Sequence, residues 1–570
     1  MFTNENQTPP SAQGGGQPPS GGSGGGSSDN ITYSAVTEYS SSASISEEEY
    51  SSTVGGENAI LVSDGELTLS SPTVTKSGDE TSENSDFYGT NAAVLATGGR
   101  LVLENASVTT SGAHANAVFA YGSGIIDISE STIKTSGNNS GGIMVTGGGS
   151  LTATNLAVET SGNSSAAIRS DRGGGNISVQ GGSFSTSGQG SPAIYSTASI
   201  RVSGATLKSS SSEGVVVEGA NDVYLENSTL SDTNNTLNGN SETYKNIFIY
   251  QSMSGDATVG SGSFMAVNSL LETNQGDTFY VTNTTAKIAL SGNKIINNDN
   301  SGVFLRAESA KWGETGNNGG HVELNFDGQV AEGDIILDNL SSLQFSLMKS
   351  SFFKGAINSD NAASNVQMSL EREATVVLTA DTYLSELLND DASNTNIYSN
   401  GYKLFVAGSE VEVNTSEAPA VPEVTLASSS ETSQIEETAA TTTSSASEET
   451  NYLPYIVGGS SIIVILLAVL ILLIHGRRKR AKLASSDASM PSPASPIQPV
   501  PTNPFAPDSS SAPESPSVPE SPSAPDSPSA RNDSSALDSP SAPESPSTSD
   551  SSSTPDNPPA PETPSTPPAP

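Results

Sequence analysis

The sequence predicts an all-β fold, a solenoid of short parallel strands stacked coil upon coil, and three observations predict it. The dipeptide Ser-Gly, four times in the form Thr-Ser-Gly, returns at Gly78, Gly112, Gly137, Gly162 and Gly188, at separations of 34, 25, 25 and 26 residues. Apolar residues stand at fixed distances before each return and alternate with polar ones, the period-2 mark of a strand with one face inward. No long helical pattern runs through the repeat, and a period near 25 residues is that of one solenoid coil.

Each strand of the coil can be justified in turn. Four residues before the glycine stand Val74, Val108, Ile133, Val158 and Phe184, and the column continues with Leu207 and Leu230, where Ser211 and Asn234 replace the glycine. An earlier strand contributes pairs two residues apart: Leu67 and Leu69, Leu101 and Leu103, Ile126 and Ile128, Leu151 and Ala153, Ile177 and Val179, Ile200 and Val202, Val223 and Leu225. A third strand follows the glycine, with Val118, Ile143, Ile168 and Ile194 six residues on and Val216 five residues after Ser211. One coil cannot bury such side chains alone, whereas coils about 4.8 Å apart pair every strand and align like residues in ladders. The corners between strands are expected to use Gly and Asn because φ is positive there. Later coils drift: "KIALSGNKI" keeps the pattern with Ile288, Leu290 and Ile295, while "HVELNFDG" and "SLQFSLMK" keep only the alternation.

Composition bounds the rest. Only 33% of the 570 residues are hydrophobic and 5% aromatic, and there is no cysteine, so stability must come from backbone pairing and apolar stacking rather than disulfides or thiolate metal sites. A formal charge of −40 argues against nucleic acid, which demands basic patches, and fits a soluble, self-repelling surface.

Composition shifts divide the chain into five parts. Residues 1–56 are rich in Gly, Ser, Pro and Gln and then acidic, and are expected to be a disordered arm. Residues 57–414 hold the repeat, enough for roughly fourteen coils. Residues 415–454 are a Ser/Thr/Glu/Ala stretch without Lys or Arg, expected to be an extended stalk. Residues 455–474, "YIVGGSSIIVILLAVLILLI", carry no charge and are long enough to be a transmembrane helix. Residues 475–570 begin with the basic cluster Arg477, Arg478, Lys479, Arg480 and Lys482 and continue as a Pro/Ser/acidic tail, disordered and of polyproline type.

The basic cluster beside the span predicts a single-pass cell-membrane protein with its tail cytoplasmic and its solenoid extracellular. The opening "MFTNENQTPPSAQGGG" has no charged n-region or apolar core, although an exported domain needs a signal. The favoured expectation is a true start upstream of Met1; the alternative is a span acting as signal anchor in the opposite sense.

The stretch "GGSLTATNLAVETSGNSSAAI", Gly148 to Ile168, resembles the coils of right-handed parallel β-helix proteins of the pectate-lyase-like superfamily. More narrowly, Gly/Ser/Asn-rich rungs ahead of a carboxy-terminal span resemble bacterial surface proteins of the adhesin type. The resemblance covers residues 57–414 and implies the fold; β-helix scaffolds host lyases, hydrolases and adhesive rods alike.

For an enzyme, β-helix lyases of this kind set acidic calcium ligands beside an Arg or Lys base, and hydrolases pair carboxylates across a cleft. Here the column after the inward apolar position reads Thr75, Thr109, Lys134, Glu159, Ser185, Lys208 and Ser231, and its one opposite-charge pair, Lys134 and Glu159, reads as a solvated ladder. Asp171 beside Arg172 reads as a turn, the three histidines are scattered, and "NNDNSG" and "NDDASN" lack the alternating ligands of a calcium loop. No catalytic residue, cofactor or metal site is assigned.

Departures from coil length are more informative. Ten extra residues, "DETSENSDFY", follow Gly78, and further excursions are "DTNNTLNGNSETYKN" and "KWGETGNNGGH". Loops leaving a rigid scaffold are where binding usually resides, so Phe87, Tyr88 and Trp312 are the expected ligand contacts, against the alternative that they cover the shaft. The expected function is adhesion or surface binding without catalysis, toward a host or bacterial surface glycan or protein. A polysaccharide lyase or glycoside hydrolase on the same scaffold, and a sensor signalling through the tail, are the other readings.

Overall fold

The computed structural model describes residues 31–237 and 240–427. Most of the arm, the stalk from residue 428, the span at 455–474, the basic cluster from Arg477 to Lys482 and the tail lie outside the described residues. The described chain is a parallel β-solenoid of about 15 turns with almost no helix. Each turn visits three sheets in order. Sheet A has 12 strands, from Ala35–Tyr39 to Asp334–Leu337; sheet B has 14, from Ala43–Ser46 to Glu386–Asn389; sheet C has 10, from Glu49–Ser52 to Lys294–Asn297. In the later turns a four-stranded sheet D, Val330–Glu332, Phe352–Lys354, Thr375–Val377 and Ile397–Tyr398, takes sheet C's place in the order. The run ends in an antiparallel hairpin, Leu404–Val406 with Ser409–Val411.

Register makes the ladders. Val74, Val108, Ile133, Val158, Phe184, Leu207, Leu230 and Leu271 are successive partners in sheet C, all buried. In sheet B, Leu67, Leu101, Ile126, Leu151, Ile177, Ile200 and Val223 stack likewise, each with its companion two residues on. Sheet A stacks Val94, Val118, Ile143, Ile168 and Ile194, but the next member is Val215 rather than Val216. Val216 pairs with Tyr195 and joins a second apolar cluster on the outer side of the sheet. In the later turns, where Ser-Gly fades, Phe264, Phe279, Phe304, Phe326, Phe345 and Phe353 fill the shaft edge to face.

The recurring glycine has a different cause from the one expected. Backbone strain is absent at Gly112, Gly137, Gly162 and Gly188; instead a Cβ on Gly137 would lie 1.9 Å from Gly112 O, and one on Gly162 would lie 1.8 Å from Gly137 O. The rungs stack backbone on backbone at this corner. Positive φ falls two residues later, at His114, Asn139, Ser164 and Gly190. The threonine of the motif is also inward: Thr110, Thr135, Thr160 and Thr186 are buried, and Thr135 Oγ1 donates to Ser140 O at 2.6 Å. Ser140 Oγ in turn donates to Gly112 O at 2.9 Å, and Ser165 Oγ accepts from Ser140 N at 2.9 Å. From Thr135 through Thr160 to Thr186 the motif is therefore a polar ladder satisfying a buried corner.

Both expected boundaries move. The first coil begins at Ala35, inside the stretch expected to be a disordered arm, because Ala35–Tyr39 pairs with Asn58–Val62 through the backbone. Its strands read AVTEY, ASIS and EYSS, with inward residues half-buried except for buried Tyr50 and Ser52, so apolar spacing did not reveal it. At the other end residues 415–427, expected to begin the stalk, lie against the solenoid and reach Asn268.

Candidate binding face and the covered face of sheet A

Sheet A is apolar on both sides. Its strands read Val118-Phe119-Ala120, Ile143-Met144-Val145, Val215-Val216-Val217 and Ile247-Phe248-Ile249-Tyr250, runs without alternation, and all of these residues are buried. What covers the outer side is the set of excursions. Asn84–Tyr88 forms a short helix from which Phe87 is buried, with the Arg172 guanidinium 3.7 Å from its ring centre. Trp312 is 4% exposed, its ring 5.2 Å from Phe248 and 5.4 Å from Tyr250. Tyr88 is half-buried and meets Tyr121 edge-on at 5.4 Å. The expected ligand contacts are thus covers: two lie inside, and Trp312 sits on a different excursion from the other pair. The unbroken apolar runs of sheet A were the sequence signal for this second core.

Buried ionisable groups pin the excursions down. His114 Nδ1 lies 2.7 Å from Asp86 Oδ2, and its Nε2 lies 2.9 Å from Asn139 Nδ2. Arg169 holds Asp171 through two contacts, 2.9 and 2.6 Å, and stands 3.7 Å from Asp86. Burial pushes the Asp171 carboxyl up, against the pull of Arg169. Arg172 pairs with Asp256, Tyr195 and Tyr250 bond Glu218, Lys245 faces Glu213 at 3.6 Å, and Arg306 donates to Asp277 at 2.6 Å. Asp171 and Arg172, read together as a turn, have separate partners. The cavity beside Arg169 and Asp171 is only about 10 Å³, room for about one water and none for a sugar. Carboxylates and bases are gathered here, yet beneath the excursions rather than over an open cleft.

The outer face of sheet C is open. Thr109, Lys134, Glu159, Ser185 and Lys208 form its central column, flanked by Ser136, Ser161, Ser187 and Ser210, and together they line a groove of about 490 Å³. Short hydroxyl side chains keep it flat: Ser161 Oγ donates to Thr135 O at 3.3 Å and Ser210 Oγ to Thr186 O at 2.9 Å, each on the preceding rung. Lys134 and Glu159 meet at 3.0 Å, both more than half exposed, an interaction worth about 0–1 kcal/mol. Glu159 is the one carboxylate lining this groove. Sequence reasoning found this column but treated it as mere solvated surface.

Among the described residues no cluster of three or more His, Asp or Glu side chains is placed to hold a metal ion, and no helix is long and apolar enough to cross a membrane. Comparison with protein-family models, curated proteins and solved structures finds no match to this chain.

Proposed function

We propose that this chain is a membrane-anchored cell-surface protein whose β-solenoid binds a surface glycan or protein through the outer face of sheet C, without catalysis. The observation that carries the reading is the groove of hydroxyl groups crossing successive rungs from Thr109 to Ser210, on a face that the excursions leave uncovered. A repeating row of Ser and Thr offers donors and acceptors at rung spacing, suited to an extended ligand lying across the strands. Lys134 and Lys208 place positive charge on a strongly acidic chain, which favours a ligand with scattered acidic or hydroxyl groups and disfavours bulk contact with anionic surfaces. Each contact is weak, so many copies on one cell supply the avidity.

The anchor in this reading is the uncharged run at 455–474, with the basic cluster from Arg477 to Lys482 on the cytoplasmic side. The test is to express the full chain on cells that lack it, add protease outside, and score adhesion to partner cells. External cleavage together with gained adhesion is expected. A solenoid protected from external protease in its native host would place it inside the cell and end the surface reading.

A further inference from the structure

Residues 415–427 do not leave the solenoid from its last turn. Asn414 pairs with Tyr398 at the final rung, and the chain then doubles back. Val421 to Val424 border a cavity of about 560 Å³ together with Lys294–Asn297 and Val330–Gly333, and Ala427 arrives at Asn268. There the contact is reciprocal: Ala427 N donates to Asn268 Oδ1 at 2.8 Å, and Asn268 Nδ2 donates to Ala427 O at 3.0 Å. From the strand of Tyr398 to that of Leu270 the segment passes six strands, about 24 Å at a rise of ~4.8 Å.

The sequence of the segment fits this course. Ala418, Val421 and Val424 are half-buried while Pro419, Pro422 and Glu423 face solvent. A spacing of three is the period of a polyproline II helix, which places those three residues on one side and needs no hydrogen bonds of its own. The sheet has a matching feature. The outward column that reads Thr109, Lys134, Glu159, Ser185, Lys208, Ser231 and Glu272 becomes apolar at Ile296, and Val330 beside it is also half-buried. An apolar patch on an otherwise polar face sits where an apolar segment lies.

We infer that residues 415–427 are a docked strap, that the face around Ile296 and Val330 is its docking groove, and that the strap ends beside Asn268 and not at the terminal hairpin. Combined with the proposed membrane anchoring, on which this consequence rests, the linker starts two strands from Lys208, at the edge of the open groove. Tension on the anchor then acts at that flank and detaches the strap from Ala427 backward, adding up to about 40 Å of tether at ~3.1 Å per residue.

Disulfide trapping tests this cleanly, because the chain has no cysteine. In the full-length protein in membranes, Asn268→Cys with Ala427→Cys should oxidise to an intramolecular disulfide, as the control pair Ser231→Cys with Glu272→Cys on adjacent strands should. Adding Val421→Asp and Val424→Asp should slow closure of the first pair about tenfold or more and leave the control unchanged. Failure of the first pair while the control closes overturns the strap, and closure indifferent to the two aspartates overturns the apolar groove as its seat. Flotation of the same membranes is scored separately: protein that does not float defeats the anchoring reading while leaving the strap result intact.

Discussion

A methyl group at Gly137 would overlap the carbonyl oxygen of Gly112, and neither atom can move without displacing a rung. Gly137→Ala is therefore expected to cost about 1–3 kcal/mol through overpacking, read as a lower melting temperature. A left-handed backbone would predict a similar loss, but a separate control distinguishes the two causes: Ser164, two residues after Gly162 and at φ 53°, should accept glycine at little cost. Asp232 is the reverse case. It occupies the buried position held by Thr186 and Ser209 on the two rungs before it, it is fully buried, and its Oδ1 has no hydrogen-bond partner among the described residues. Burial pushes its carboxyl well above the usual range, so the folded state binds a proton more tightly than the unfolded chain. Its contribution to stability accordingly falls as pH rises from the ordinary aspartate range toward the raised folded value. Asp232→Asn should stabilise the protein at neutral pH, and the gain should shrink as the solution is acidified; denaturant melts at several pH values check both signs.

Among the elements, strands were easier to read than excursions. Alternation in sheets B and C was plain because one side faces water, and the columns through Ile133 and Ile126 hold to the register. Sheet A, buried on both sides, lost that signal, and a shorter corner shifted its column from Val216 to Val215. The excursions were legible as extra length and not as cover, because Phe87 and Trp312 look alike in sequence whether they face solvent or Arg172 and Phe248. The positive-φ corners were anticipated, but the glycine itself answers to backbone stacking, which no local propensity encodes. Trp312→Ala should thus act on packing: a loss of about 3–5 kcal/mol in the stability of the region around Phe248 and Tyr250, seen as faster amide exchange there.

For the whole molecule, the repeat fixed the solenoid and its approximate number of turns, while its limits were set by interactions that composition does not report. The first coil is held by backbone pairing from Ala35, and the last residues by a strap whose partner, Asn268, is distant in sequence. The proposed binding surface was visible as the column Lys134, Glu159 and Lys208, yet its openness depends on which faces the excursions leave bare. Buried ladders and excursions serve stability and the sheet C groove is proposed to bind, so one adhesion assay separates them. Full-length protein on cells carries either Ser161→Trp with Ser187→Trp, which fill the groove from exposed positions, or Trp312→Ala. The groove pair should abolish adhesion with melting unchanged, and Trp312→Ala should lower melting while adhesion persists below the transition; adhesion that survives the groove pair and disappears with Trp312→Ala in folded protein would contradict the account.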